Sequence, residues 1–315
     1  MDAPDSIDRT AGPGLSGTRR MRRRLLLVAG AVIAGVALGC SLSVVQAGGW
    51  ERWLGRHAIV PGYGDLGRAV PALEGRHLYL DCRGTGSPTV VLEAGMGSDA
   101  RSWGSVFPAL ANTTRTCAYS RANRWGSDPR GPHTLAEAAA DLRAALAAAA
   151  ERPPYLLVGH SLGDTYVRVF AGRNPADVAG LVLVDGFAPD RFRDLIALAP
   201  PDLAARWQAN LDANVRSIEA IDRLAWAASE AELEAVDLGD LPVEVVVVPQ
   251  PFAVDPNIPD GDRVRLEAAW REGNATFSTR TRVTLAEGAS HMVQWDRPEL
   301  VIEAAERLVA AARGS

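Results

Sequence analysis

The chain has 315 residues, of which 47% are apolar, 23% charged and 6% aromatic, with a formal net charge of −5. This is the balance of an ordinary globular protein with material for a large core, and it excludes a disordered tail or a repeat array. Basic residues are scattered beyond the first 24 positions, so no groove for nucleic acid is expected.

In chain order, residues 1–24 form a basic segment with five arginines between Arg19 and Arg24, and an uncharged stretch from Leu25 to Val45 follows. That stretch is long enough to cross a bilayer as a helix. Arginines before it and Trp50 and Trp53 after it predict a cytoplasmic N-terminus, a membrane segment over 25–47 and an extracytoplasmic remainder. A cleaved signal peptide is the alternative reading, since the charge block and the small residues Ala47 to Gly49 also suit one. Arg22 and Arg23 loosely match a twin-arginine signal, and "ALGC" before Cys40 is a poor lipoprotein signal because Leu38 is bulky. Either reading exports the folded part. The three cysteines are too few for a disulfide scaffold and wrongly spaced for zinc, so no metal or cofactor is expected. Cys82 and Cys117 read equally as a pair in an oxidising compartment or as two small buried hydrophobes.

A linker over 48–72 leads into a domain spanning 73–315. "RHLYLDC" and "TVVLEAG" read as strands, the second apolar throughout, as a strand covered on both faces must be. "RTCAYS" is a third. "HTLAEAAADLRAALAAAAER" is an alanine-rich helix with Thr134 and Glu137 in capping-box register. "PYLLVG", "AGLVLVD", "LPVEVVVVPQ" and "RTRVTLAEG" complete the strands, and "RPELVIEAAERLVAAAR" is a closing helix with Pro298 near its first turn. Strands alternating with helices predict an α/β fold with a mostly parallel sheet flanked by helices. The stretch from about 189 to 240 is longer than a crossover needs and reads as a helical lid over the carboxyl ends of the strands. Its Phe192, Leu195, Trp207 and Trp226 suit an apolar pocket or core packing equally.

The chemistry concentrates in "YLLVGHSLGD", where Ser161 stands between Gly159 and Gly163 at a strand-to-helix turn. This is the G-x-S-x-G elbow, whose glycines leave room for a strained serine backbone and whose helix amino terminus faces a developing oxyanion. His160 fills the variable position and needs no role. A serine hydroxyl needs a base, and of the five histidines only His291, in "GASHMVQWDRPEL", follows the elbow; His57, His77 and His133 precede it.

With "PTVVLEAGMGSDARSW", "GHSLG", "VAGLVLVDG" and "GASHMVQWDRPEL" in this order over residues 76–313, the chain resembles the α/β-hydrolase superfamily, in particular its lipase, esterase and peptidase-like group. The resemblance implies an oxyanion hole from the amides of Leu162 and Met96 and a triad of Ser161, His291 and an acid. Two acids are open: Asp185, at the end of the sixth family strand, is favoured for its rigid position, and Asp255, past the seventh, is the alternative. The family's sheet order also sets Cys82 beside Cys117 and so favours a disulfide. Two departures stand out. Asp164 replaces a common glycine and adds negative charge near the nucleophile, and Ser120 replaces a common aspartate. The loop from Arg121 to Pro132 reads as a pocket wall or as a plain polar crossover. The function implied is a membrane-tethered, extracytoplasmic serine hydrolase of carboxylic esters, less readily amides, acting on a small ester or lipid-like molecule. The rivals are another chemistry on this fold, such as a cofactor-free haloperoxidase or a C–C bond hydrolase, and a silent binding protein. Dehalogenases and epoxide hydrolases need a carboxylate where Ser161 stands.

Overall fold

The computed structural model describes residues 67–249 and 258–314. The predicted membrane segment, the linker up to residue 66 and Asp255 lie outside the described residues. Among the described residues no helix is long and apolar enough to cross a membrane.

Eight strands form one sheet: β1 (Arg68–Pro71), β2 (His77–Arg83), β3 (Thr89–Glu93), β4 (Thr116–Ser120), β5 (Tyr155–His160), β6 (Val178–Val184), β7 (Val243–Val247) and β8 (Thr281–Leu285). Their spatial order is β1-β2-β4-β3-β5-β6-β7-β8. β2 runs antiparallel to both neighbours, and every other pairing from β4 to β8 is parallel. The mostly parallel sheet expected from the sequence is thus present. β1 corrects the linker boundary: it falls inside 48–72, four residues of which only Val70 is buried. One buried residue leaves no period to read.

The helices are α1 (Val106–Thr113), α2 (Leu135–Ala148), α3 (Gly163–Arg173), α4 (Pro189–Leu198), α5 (Pro201–Ile221), α6 (Trp226–Glu234), α7 (Asp260–Asn274), α8 (Val293–Asp296) and α9 (Pro298–Gly314). Strand alternation explains why the central strands are apolar throughout. Val91, Leu157, Leu181 and Leu183 pack on one face with Ala139, Leu142 and Leu146 of α2 and Val167 and Phe170 of α3. Leu92, Leu156, Val158 and Val182 pack on the other with Val106, Phe107 and Leu110 of α1 and Val301, Ala304 and Leu308 of α9. Each such side chain taken out of water contributes roughly 1.5–3 kcal/mol, so the double covering of β3, β5 and β6 outweighs any single polar contact in fixing the fold.

The capping box that starts α2 is present, with Thr134 and Glu137 each accepting from the other's backbone amide. Cys82 and Cys117 are register partners across β2 and β4 and form a disulfide, with Cα atoms 4.0 Å apart. The insertion predicted at 189–240 comprises α4, α5 and α6, between β6 and β7.

Candidate active site

Ser161 follows β5 directly and precedes α3, and its φ of 53° is one that non-glycine residues adopt at a cost. The flanking glycines are sterically required. A Cβ on Gly159 would sit 2.6 Å from the Gly163 carbonyl oxygen, and one on Gly163 would sit 2.5 Å from the Glu93 carbonyl oxygen. The turn is tied to the neighbouring strand's end: the Ser161 amide donates to the Val184 carbonyl at 3.0 Å, and the Ser161 carbonyl accepts from the Phe187 amide at 2.9 Å.

Three of the predicted residues meet here although they lie far apart in the chain. His291 Nε2 is 2.9 Å from Ser161 Oγ, and His291 Nδ1 is 2.6 Å from Asp185 Oδ2. Asp185 is held by its other oxygen, which accepts from the Val248 amide at 3.2 Å, and by its own amide, which donates to the Val246 carbonyl at 2.8 Å. The loop carrying His291 is pinned twice: Ser290 donates from backbone and hydroxyl to Asp296, and the Trp295 indole donates to the Ser102 carbonyl at 2.6 Å. Asp255, the alternative acid, lies outside the described residues.

Ser161, Asp185 and His291 open onto a cavity of about 390 Å³ whose apolar walls include Phe187, Phe192, Leu211, Ile218 and Trp270. Met96 and Leu162 line it as well, and among the described residues neither of their backbone amides has an acceptor. Two amides without a protein partner beside a serine hydroxyl can receive a developing oxyanion. Of the aromatic and aliphatic residues singled out in the insertion, only Phe192 lines the cavity; Leu195, Trp207 and Trp226 are core. Trp270 escaped sequence reading because α7 is largely polar, with Leu266, Trp270 and Asn274 as its buried residues.

Three sequence expectations need correction or completion. His160 does have a place: it is buried and lies beside His291, the two rings tilted by 42° with centroids 4.9 Å apart. Its Nε2 lies 2.9 Å from the His291 carbonyl. A carbonyl only accepts, so Nε2 carries a proton, while the buried Nδ1 has no partner to receive a second one, which suits the neutral ring. Burial, reinforced by His291, pushes the His160 imidazole down to about 4. Asp164, expected to burden the nucleophile with charge, is instead paired with Arg168 and packed beneath Gly186, and its carboxyl is pushed up to about 6 by burial. The loop from Arg121 to Pro132 contributes no wall to the cavity. Its Arg121 is buried under the loop that carries Met96.

The depressed His160 imidazole has a measurable sign. Because the folded state binds its proton more weakly than the unfolded chain, its contribution is full above about 6.5 and is lost as pH falls toward 4. The carboxyls of Glu93, pushed up to about 7 by burial, and of Asp164 act in the opposite sense over that window. We therefore expect the difference between the pH–stability curves of the wild-type protein and His160→Phe, followed by urea denaturation from pH 7 to pH 4, to shrink as pH falls. A constant difference would show that His160 takes no part.

Residues 90–304 match the model of the alpha/beta hydrolase family. A probable transporter of Hormonema carpetanum, efuK, is 38% identical over 108 residues, which are 33% of this chain and 16% of that protein. The chain spans less than half the length of the curated relatives it matches. Among solved structures, a putative acyltransferase from Salmonella enterica is similar with a TM-score of 0.57 at 16% identity, covering 78% of this chain and 95% of that one. AqDC, which recognises and ring-cleaves the Pseudomonas quinolone signal, is similar with a TM-score of 0.53 at 18% identity, covering 76% and 99%. Likeness at this identity establishes the shared fold.

Proposed function

Because the chain belongs to the alpha/beta hydrolase family, we propose that it is a serine hydrolase cleaving carboxylic esters, and amides less readily, through an acyl-enzyme on Ser161. The observation that carries this reading is the unbroken hydrogen-bond path from Ser161 Oγ through His291 to Asp185 at a cavity that a substrate can enter. His291 Nε2 takes the hydroxyl proton as Ser161 Oγ attacks the carbonyl carbon, and the amides of Leu162 and Met96 receive the oxyanion. The proton then passes from His291 to the leaving alkoxide. A water activated by the same nitrogen hydrolyses the acyl-enzyme, and Asp185 holds Nδ1–H throughout.

The walls favour an uncharged acyl group. Among the described residues no lysine or arginine lines the cavity, so these walls offer no fixed cation to pair with an anionic substrate. Delivery outside the cell by the N-terminal segment, as a tether or a cleaved signal, completes the proposal and rests on the sequence of residues 19–53.

The test treats purified wild-type protein with a fluorophosphonate probe and with p-nitrophenyl esters of increasing chain length. Labelling mapped to Ser161, turnover, and a rate optimum at a medium acyl chain are expected. Folded protein that neither takes the label nor turns over any ester would overturn the reading.

A further inference from the structure

Arg121 is the residue after β4 and is buried, with 5% of its surface exposed. It forms an ion pair with Glu93 at the end of β3 and another with Asp222, whose Oδ1 it reaches at 2.8 Å. It also donates to the Ala94 carbonyl at 2.5 Å and to the Gly95 carbonyl at 2.9 Å. Asp222, the cap that follows α5, accepts from the Gly97 amide at 3.0 Å with its second oxygen. The Tyr166 ring lies under the guanidinium, 4.5 Å from its centroid. Arg124 donates to the Ile221 carbonyl and so ties the same end of α5 to this cluster.

These contacts surround Met96 without using its amide. The Gly95 carbonyl and the Met96 N–H belong to one planar peptide unit, so a grip on the oxygen fixes the direction of the hydrogen. The Gly97 amide, held by Asp222, fixes the next unit along. A cation on the carbonyl oxygen also polarises the N–H on the opposite side of that peptide and strengthens it as a donor. Burying so much charge is costly unless every partner is in place, and removing one leaves the others uncompensated. The arrangement therefore defines one backbone path for residues 94–97 rather than a range of them.

We propose that Arg121 and Asp222 form a clamp that aims the Met96 amide at the oxyanion, and that it couples this aim to the seating of α5. Both are positioning residues, because neither lines the cavity. The inference rests on the serine-hydrolase reading, since without an oxyanion there is nothing for the Met96 amide to meet. The C-terminal end of α5 carries the clamp's acid while Leu211 and Ile218 of the same helix line the cavity. A substrate that seats α5 thereby completes its own oxyanion site.

The experiment measures kcat and KM for a p-nitrophenyl ester, and inhibition by an alkylboronic acid, for Arg121→Lys, Asp222→Asn, Asp222→Ala and Ser161→Ala. Losing one well-aimed oxyanion donor costs on the order of 10²–10³ in kcat, so misaiming one is expected to cost roughly 10–100-fold in Arg121→Lys and Asp222→Ala. Asp222→Asn keeps a neutral acceptor for Gly97 and is expected to lose roughly 5–10-fold. KM is expected to stay within about threefold, because the donor acts in the transition state, and boronate affinity to fall with kcat. A purely structural role would not weaken the boronate in step with kcat. Where Arg121→Lys or Asp222→Ala does not fold, Asp222→Asn decides. An unchanged kcat, or an unchanged boronate affinity, in a folded Asp222 variant overturns the clamp while leaving the hydrolase reading intact. Wild-type turnover persisting in Ser161→Ala overturns the hydrolase reading itself.

Discussion

Replacing Ser161 with alanine is expected to lower kcat for p-nitrophenyl esters by on the order of 10⁴-fold or more, with little change in stability. In the proposed mechanism the hydroxyl supplies the attacking atom, and its loss leaves whatever the oxyanion amides and binding provide, about 5.5 kcal/mol or more short in the barrier. Nothing comparable is lost from the fold. Alanine retains the Cβ, so the cost of a φ of 53° is the same, and the amide and carbonyl of residue 161 keep their bonds to Val184 and Phe187. Glycine is a sharper control. Ser161→Gly is expected to be equally inactive yet about 1–2 kcal/mol more stable than the wild type in urea, because glycine adopts this backbone without strain. An inactive variant that is also no more stable would show that the elbow stores no strain.

Asp185→Asn is expected to lower kcat by on the order of 10⁴-fold, while Asp255→Asn stays within about threefold of wild type. The argument lies in which hydrogen goes where. The Val248 amide points at one oxygen of Asp185, so an asparagine there keeps its carbonyl toward Val248 and turns its NH₂ toward His291 Nδ1. A donor facing Nδ1 selects the tautomer with the proton on Nε2, and that nitrogen can no longer accept from Ser161. The imidazole stays in place and holds the wrong proton. Kinetics and thermal melting of both variants separate the cases: loss in Asp255→Asn with Asp185→Asn active would move the acid to the connection after β7.

What the sequence disclosed divides along a physical line. β3, β5 and β6 were legible because a strand covered on both faces leaves an unbroken apolar run, and Ser161 and His291 because one histidine alone follows the elbow, whereas the acid stayed open between Asp185 and Asp255. β1 left no period, since its single buried residue, Val70, sits beside Pro71. His160 and Arg121 were passed over because their roles exist only in three dimensions. A histidine in the variable place of G-x-S-x-G becomes a prop only when the His291 carbonyl arrives 2.9 Å away. An arginine in a crossover loop becomes a clamp only when Glu93, Gly95 and Asp222 close around it. Asp164 shows the converse, since a charge that looks harmful in the linear chain is absorbed by Arg168 one turn later. The insertion could not be sorted into wall and core because Phe192 of α4 and Trp207 of α5 have ring centroids 6.0 Å apart, yet only Phe192 reaches the cavity.

The placement of Asp185 bears on how a lineage carrying this chain can change. Ser161 and Asp185 each follow directly on one of two strands paired in unbroken register from Leu156 opposite Gly180 to His160 opposite Val184 at the last rung. Inheritance of one ladder therefore transmits both groups in register. The helix that follows β7 in the chain, α7, stands apart from that ladder, and its Trp270 forms part of the cavity wall. Substitution at Trp270 therefore alters what the cavity admits without touching the ladder that carries Ser161 and Asp185, so new substrates are open to selection while the groups beneath are kept.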